Sequence, residues 1–296
     1  MAHTEEVREF LTSRRARITP EQAGLPAYGG NRRVTGLRRE EVAMLAGMSV
    51  DYYTRLERGN LSGASDSILE ALARALQLDE AETSHLYDLA RAADVAPRAR
   101  RRRSPTTVRP SLQRVIDAIT TAPAWVRNDR GDVLAANQLG RALYLDLMAE
   151  TIQPPNNSRF TFLNPKAREF YSNWEQAADD IVAILRQAAG RNPYDRDLTD
   201  LIGELSTRSE EFRVRWARHD VRYHRTGRKK VHHPIVGDLD LAFEALELPG
   251  EPGLRVNVYT ADPGTPSEDG LKLLASWAAT QEATEQTASA STTRID

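Results

Sequence analysis

Apolar positions recur at helical spacing through the N-terminal third of the chain and at two-residue spacing in the last third. The spacing predicts a first helix over Glu5–Arg17, with Val7, Phe10, Leu11 and Arg14 in helical register and Glu5 and Glu6 in the first turn, where the helix dipole favours acids. Pro20 ends it, and a polar, Gly-rich loop from Gly24 to Thr35 carries Arg32 and Arg33. The stretch Leu37–Gly59, LRREEVAMLAGMSVDYYTRLERG, reads as two helices about a tight turn. Gly47 stands where the chain must turn with positive φ, and Ser49 stands where an N-cap belongs. In the helix from Val50 to Arg58, Tyr53 and Leu56 share one face; Asp51, Arg55 and Arg58 share the other, with Val50, Tyr52 and Thr54 on the flanks. One side packs and the other can read. Helices over Ser65–Gln77 and Asp79–Ala93 complete a five-helix, all-α bundle.

The texture then changes. Residues 95–110 form an Arg/Pro-rich linker, read either as a solvated connector or as an arm lying along phosphates. Ser111 is expected to cap a helix to about Thr121. Ala124–Asn128 and Asp132–Ala136 flank Asp129-Arg130-Gly131, a strand–turn–strand signal. A helix is expected over Asn137–Met148, followed by long amphipathic helices over about Pro165–Ala189 and Asp197–Arg218. Strands follow at Lys229–His233, Asp238–Leu248 and Leu254–Thr260, the last two joined through Gly250-Glu251-Pro252-Gly253. A helix over Leu271–Ala279 precedes a tail, residues 282–296, expected to be disordered. The second module is thus an antiparallel sheet with helices inserted between its second and third strands. The expected domains are 1–94, the linker 95–110, 111–281, and the tail.

Length and composition narrow the class. A chain of 296 residues suggests about two domains, and 40% apolar residues can fill two modest cores. Having no Cys excludes disulfides and thiolate metal sites and suits a reducing cytoplasm, where we expect a soluble protein. The N-terminus lacks an apolar leader and no run is long enough to span a bilayer, so no membrane association is expected. A formal charge of −2 does not announce a nucleic-acid partner. Its distribution is more informative: the first 110 residues carry a small excess of Arg over acids, the remainder a small excess of acids.

For a helix pair of this kind, double-stranded DNA is the expected partner. Val50, Asp51, Tyr52 and Arg55 are the candidate base readers: Arg55 can pair bidentately with guanine, Asp51 can accept from cytosine, and Val50 can touch a thymine methyl. Asp51 also has a plainer reading as a first-turn acid. Arg32, Arg33, Arg38, Arg39 and Arg58 are read as phosphate contacts, which position without specifying. Glu57 is expected to pair inward with Arg14. In the second module Trp125, Phe170, Trp174, Phe212, Trp216 and Phe243 are candidates to line a cavity, each also readable as ordinary core. Asn137, Arg218 and His219 are the candidate polar anchors there. His219, His224, His232 and His233 match no zinc spacing, and no phosphate loop or nucleophile elbow appears. No metal, no cofactor and no catalysis are expected.

With both modules in view, the chain resembles the MmyB-like transcription regulators of actinobacteria. The resemblance is carried by Gly36-Leu37-Arg38-Arg39-Glu40-Glu41-Val42-Ala43, by Tyr52-Tyr53-Thr54-Arg55-Leu56-Glu57-Arg58-Gly59, and by Leu72-Ala73-Arg74-Ala75-Leu76. In the second half it rests on Asn164-Pro165-Lys166-Ala167-Arg168-Glu169-Phe170-Tyr171, Trp216-Ala217-Arg218-His219-Asp220-Val221 and His233-Pro234-Ile235-Val236-Gly237-Asp238-Leu239. It implies a five-helix Xre-type helix-turn-helix domain followed by an α+β PAS-like domain. It also implies a homodimer and a small, largely apolar ligand, fatty-acid-like in at least some members. The alternative is a second domain that serves only as a dimerisation or protein-interaction platform.

Overall fold

The computed structural model describes residues 2–26, 34–94, 106–221 and 225–292. In chain order the elements begin with α1 (Ala2–Arg17), α2 (Arg39–Leu45), α3 (Val50–Glu57), α4 (Asp66–Ala75) and α5 (Glu80–Asp94). Next come α6 (Pro110–Asp117), β1 (Ala124–Asn128), β2 (Val133–Ala136), α7 (Gln138–Leu143), α8 (Leu145–Met148), α9 (Asn157–Leu163) and α10 (Lys166–Phe170). The chain finishes with α11 (Trp174–Arg191), α12 (Arg196–Arg208), α13 (Glu210–Trp216), β3 (Thr226–His233), β4 (Gly237–Glu247), β5 (Leu254–Thr260) and α14 (Pro266–Thr292).

These elements form two compact units whose boundaries cut across the sequence order. One is Met1–Arg103 together with Val182–Tyr223; the other is Ser104–Ile181 together with His224–Asp296. The break falls inside α11, so the helices from Val182 onward are built into the N-terminal unit rather than into the sheet module.

The first unit closes around Phe10, Leu11, Val42, Ala43, Tyr53, Leu56, Leu72, Leu86 and Leu89, with Val221 of the later segment joining them. Sequestering each large side chain of this set contributes about 1.5–3 kcal/mol. The second unit is a five-stranded antiparallel sheet, order β2-β1-β5-β4-β3. Direct cross-strand partners share a face, which fixes what each side of the sheet meets. Trp125, Phe243 and Tyr259 point into a core with α7, α8, α10, the start of α11 and α14. On the other side Ala124, Val126, Leu254 and Val256 pack against Leu112 and Ile116 of α6.

Several expected boundaries move, each for a local reason. The stretch expected as one helix over Pro165–Ala189 is interrupted because Tyr171 bridges Val231 and the Ser172 N–H donates to Lys230 O (3.2 Å). The next breaks at Ser209, whose side chain accepts from Phe212 N and starts α13 afresh. Asn137–Met148 splits at Tyr144 into α7 and α8. Pro110 occupies the first turn of α6, so Arg109 rather than Ser111 is its N-cap. The expected disordered tail is helical as far as Thr292, and the remaining residues lie outside the described ones. Arg32, Arg33, His224 and most of the linker also lie outside them.

Candidate functional site

The geometry of the reading head starts with how α2 stops. Gly47, at φ +65°, lets Met48 N–H donate to Ala43 O (2.9 Å) and Gly47 N–H to Met44 O (3.2 Å). This is the paired closure that a left-handed residue after a helix permits. Ser49 then caps α3, its Oγ accepting from Tyr52 N–H (3.1 Å). Gly59 closes α3 in the same way, at φ +96°, and an added Cβ would lie 2.3 Å from Thr4 O, so α1 and the end of α3 meet backbone to backbone.

Glu57 holds the head together. Its carboxylate is 1% exposed and accepts from Arg15 Nε (2.6 Å), from Arg39 Nε and from Tyr53 Oη (3.2 Å). Burial alone would raise its pKa, but the hydrogen bonds from Arg39 and Arg15 outweigh that and hold it below the usual carboxylate range. Burial, with the Glu57 charge adding to it, pushes the Tyr53 hydroxyl well up, so the phenol stays a donor. The partner from α1 is therefore Arg15 and not Arg14. One residue along a helix turns a side chain by about 100°, and Arg14 points instead at Glu82 (2.9 Å). Arg39, read from sequence as a phosphate contact, is tied to Glu57 here.

The outer face of α3 is free of such ties. Val50 is 41% exposed; Asp51, Arg55 and Arg58 are exposed, Tyr52 half-buried. The Arg55 guanidinium rests over the Tyr52 ring at 4.9 Å, which limits its rotamers without neutralising it. Among the described residues the guanidinium groups of Arg38, Arg55 and Arg58 have no carboxylate partner, although the Arg38 backbone N–H donates to Glu41 Oε2 (2.6 Å). Met44 on α2 is also an exposed apolar side chain, 62% exposed, which the sequence reading did not single out.

The candidate ligand residues separate into two groups. Trp125, Trp174 and Phe243 lie in the core of the sheet module with Tyr144, Phe160, Phe170, Tyr171 and Tyr259. Trp174 Nε1 donates to Thr161 O (2.9 Å), and Tyr144 and Tyr259 share a hydroxyl–hydroxyl bond of 2.9 Å. Phe212, Trp216, Arg218 and His219 belong to the other unit, which corrects their reading as cavity residues of the sheet module. There Phe212 stacks on Trp216 at 5.5 Å, Arg186 lies over Trp216 at 4.0 Å, and Arg218 is exposed. Asn137 is corrected too: its Oδ1 accepts from Ala124 N and Gly140 N, and its Nδ2 donates to Ile119 O and Ala122 O. All its capacity is used within the fold, one bond capping α7 and three tying the loop before β1 and the start of β1 to it.

A cleft of about 200 Å³, its open mouth included, is lined by Leu143, Tyr144, Leu147, Phe160, Phe170 and His233 among others. Burial lowers the His233 pKa, and the neutral ring is bonded through Nε2 to Ala142 O (3.0 Å). In the first unit Glu6, Glu9 and His219 offer donor atoms within 4.8 Å of one another. Arg186 already bonds Glu6 and His219 Nδ1 (2.8 Å), so a cation there would meet a fixed guanidinium. No helix among the described residues is long and apolar enough to cross a membrane.

The comparisons agree with this geometry. Residues 8–86 match a helix-turn-helix domain model, and residues 108–274 match the MmyB-like transcription regulator ligand binding domain. A search of the curated proteins finds no match. With the second match covering more than half of the chain, the protein belongs to the MmyB-like transcription regulators, a DNA-binding helix-turn-helix joined to a ligand-binding domain.

Proposed function

We propose that this regulator is a cytoplasmic homodimer that reads a pseudo-palindromic operator through two copies of α3 and is controlled by a small, largely apolar, fatty-acid-like molecule held in the sheet module. The observation that carries the DNA reading is the contrast across α3: a buried face fixed by Glu57 and an outer face with Val50, Asp51, Tyr52 and Arg55 presented to solvent. Arg38 and Arg58 supply phosphate contacts, and two-fold symmetry sets half-sites about one helical turn apart. The ligand acts by binding one arrangement of the dimer better than another, since a ligand of equal affinity for both shifts nothing. The protein works by binding and not by catalysis.

A second reading keeps the DNA-binding function and makes the sheet module a dimerisation or interaction platform. What favours it is the size of the cleft, whose enclosed space of about 10 Å³ has room for little more than one water molecule, against the roughly 300–1,000 Å³ of ordinary ligand pockets. Binding of the full-length protein to its own promoter region, at two salt concentrations and before and after organic extraction of the protein, separates the two. A change of affinity on extraction at fixed salt, with an amphiphile in the extract, supports the sensor. Unchanged affinity with an empty extract supports the platform.

A further inference from the structure

Among the described residues, the core of the sheet module holds a pair of polar atoms on facing strands that the fold leaves unused. Trp125 is 1% exposed and Asn257 is 3% exposed, yet Trp125 Nε1 and Asn257 Oδ1 have no hydrogen-bond partner. They are direct cross-strand partners, Trp125 on β1 and Asn257 on β5, so both side chains project from the same face of the sheet into the same core. An unused buried donor or acceptor costs about 1–3 kcal/mol. Two side by side point to a group that completes them.

The surroundings are otherwise satisfied. Beyond the pair, Asn128 Oδ1 accepts from Arg130 N and Asp132 N (both 3.0 Å), and Asn156 Nδ2 donates to Asp132 Oδ1 (2.7 Å). Arg255, next to Asn257, is neutralised by Asp129 (3.0 Å) and Glu247 (2.9 Å). On the other side the aromatic layer begins. The Trp125 and Tyr144 rings are 5.3 Å apart, Tyr144 and Phe170 are 5.1 Å apart, and both Tyr144 and Phe170 line the cleft that opens to solvent. Tyr144 stands at the break between α7 and α8, so its ring is carried by the joint between two short helices rather than by the middle of one.

We infer that Trp125 and Asn257 seat the polar head of the ligand, and that this head is uncharged and both accepts and donates a hydrogen bond: a hydroxyl or an un-ionised carboxyl. Indole Nε1–H can only donate; the amide can do either. A head accepting from Trp125 and donating to Asn257 completes both groups. An ionised carboxylate would need a cation of its own, but Arg255 is already paired with Asp129 and Glu247, and Arg127, buried opposite Arg255 on the same face, is already engaged, donating to Asn128 O (3.4 Å); burial of an uncompensated charge is strongly disfavoured. The apolar tail then lies along Tyr144 and Phe170 toward the cleft. This inference rests on the ligand-binding reading proposed above.

The test uses the full-length protein with three probes: 1-decanol, decyl methyl ether, which accepts but cannot donate, and decanoic acid. Calorimetry gives affinities, and 15N-tryptophan labelling gives the indole N–H signals, that of Trp125 being the one lost in Trp125→Phe. Decanol is expected to shift the Trp125 signal. Trp125→Phe should weaken decanol and the ether about three- to tenfold, the range of one ordinary hydrogen bond. Asn257→Leu should weaken decanol by a similar factor and leave the ether unchanged; it removes an unpartnered group, so the variant remains folded and keeps the test decisive even where Trp125→Phe does not fold. Decanoic acid should bind more tightly at about pH 6 than at about pH 8, both above the ordinary carboxyl range. Decanol binding with the same affinity in Asn257→Leu as in the unaltered protein would overturn the inference and leave the ligand reading intact. Tighter binding of the acid at the higher pH would overturn the uncharged head. If none of the probes binds, the apolar-ligand reading falls and takes this inference with it.

Discussion

The reading head and the interior of the sheet module use their hydrogen-bonding capacity in opposite places. In the head the buried carboxylate of Glu57 takes three donors, while among the described residues the exposed guanidinium groups of Arg38, Arg55 and Arg58 have no carboxylate partner. In the sheet module the exposed Arg228 is held by both Asp240 and Asp262, while the unused atoms, on Trp125 and Asn257, are inside. A surface that keeps its cations uncommitted suits a polyanion met from solvent. A core that keeps a donor and an acceptor uncommitted suits something small that enters it.

The largest expected effect sharpens that contrast directly. Glu57→Ala leaves Arg15, Arg39 and the Tyr53 hydroxyl without their shared acceptor, and urea unfolding should show a loss of about 3–5 kcal/mol. Asn257→Leu, which removes a buried acceptor with no partner, should cost no stability and should add up to about 1–3 kcal/mol. Equal losses would erase the distinction between the two regions. Next comes a pH effect in the first unit. Burial, then the charge of Arg186, lowers His219 from 6.5 to about 4. Between those values the unfolded chain binds the proton and the folded one does not, so stability is present above pH 6.5 and declines as pH falls toward 4. The decline should reach at most about 3 kcal/mol, and His219→Gln should flatten it.

Smaller effects probe the outer face of α3. Arg55→Ala should cost about 1–3 kcal/mol of DNA affinity and relax preference at one base pair, read by competition against operator variants. Arg38→Ala should weaken all sequences alike and lower the salt slope by about one; a sequence-selective loss would exchange the roles of the two arginines. Gly47→Ala should cost about 1–2 kcal/mol, since space is free there and only the left-handed backbone resists the added Cβ. Gly59→Ala should cost more, because the Cβ also meets the backbone of Thr4.

What could be read from sequence followed what is local. The turn at Gly47, the Ser49 cap and the span of β5 depend on neighbours a few residues away, and all stand where the pattern places them. The Asp-Arg-Gly turn between β1 and β2 was legible for the same reason. Ser209 and Asn137 were local signals too, but a cap looks like any polar residue until the helix it starts is known. What failed was tertiary. Trp216 and His219 have the chemistry of a pocket, yet nothing in their spacing says which core they join. The Arg15–Glu57 pair differs from the expected Arg14 by one step of a helix, which only the packing of α1 decides. Trp125 was legible as buried; that its indole lacks a partner requires knowing every neighbour.

The interleaved boundary has a consequence for how such a chain can be inherited and cut. A recombination point near residue 104 looks natural, since the helix-turn-helix match ends at 86 and the ligand-domain match starts at 108. It would transplant α1 without Arg186, the residue that bonds Glu6, and without His219, whose carbonyl receives Arg14. Glu6 and Arg14 would be left without these partners, and Val221 would be missing from the apolar core. A reading head exchanged between relatives is therefore expected to be less stable unless residues 182–221 come with it.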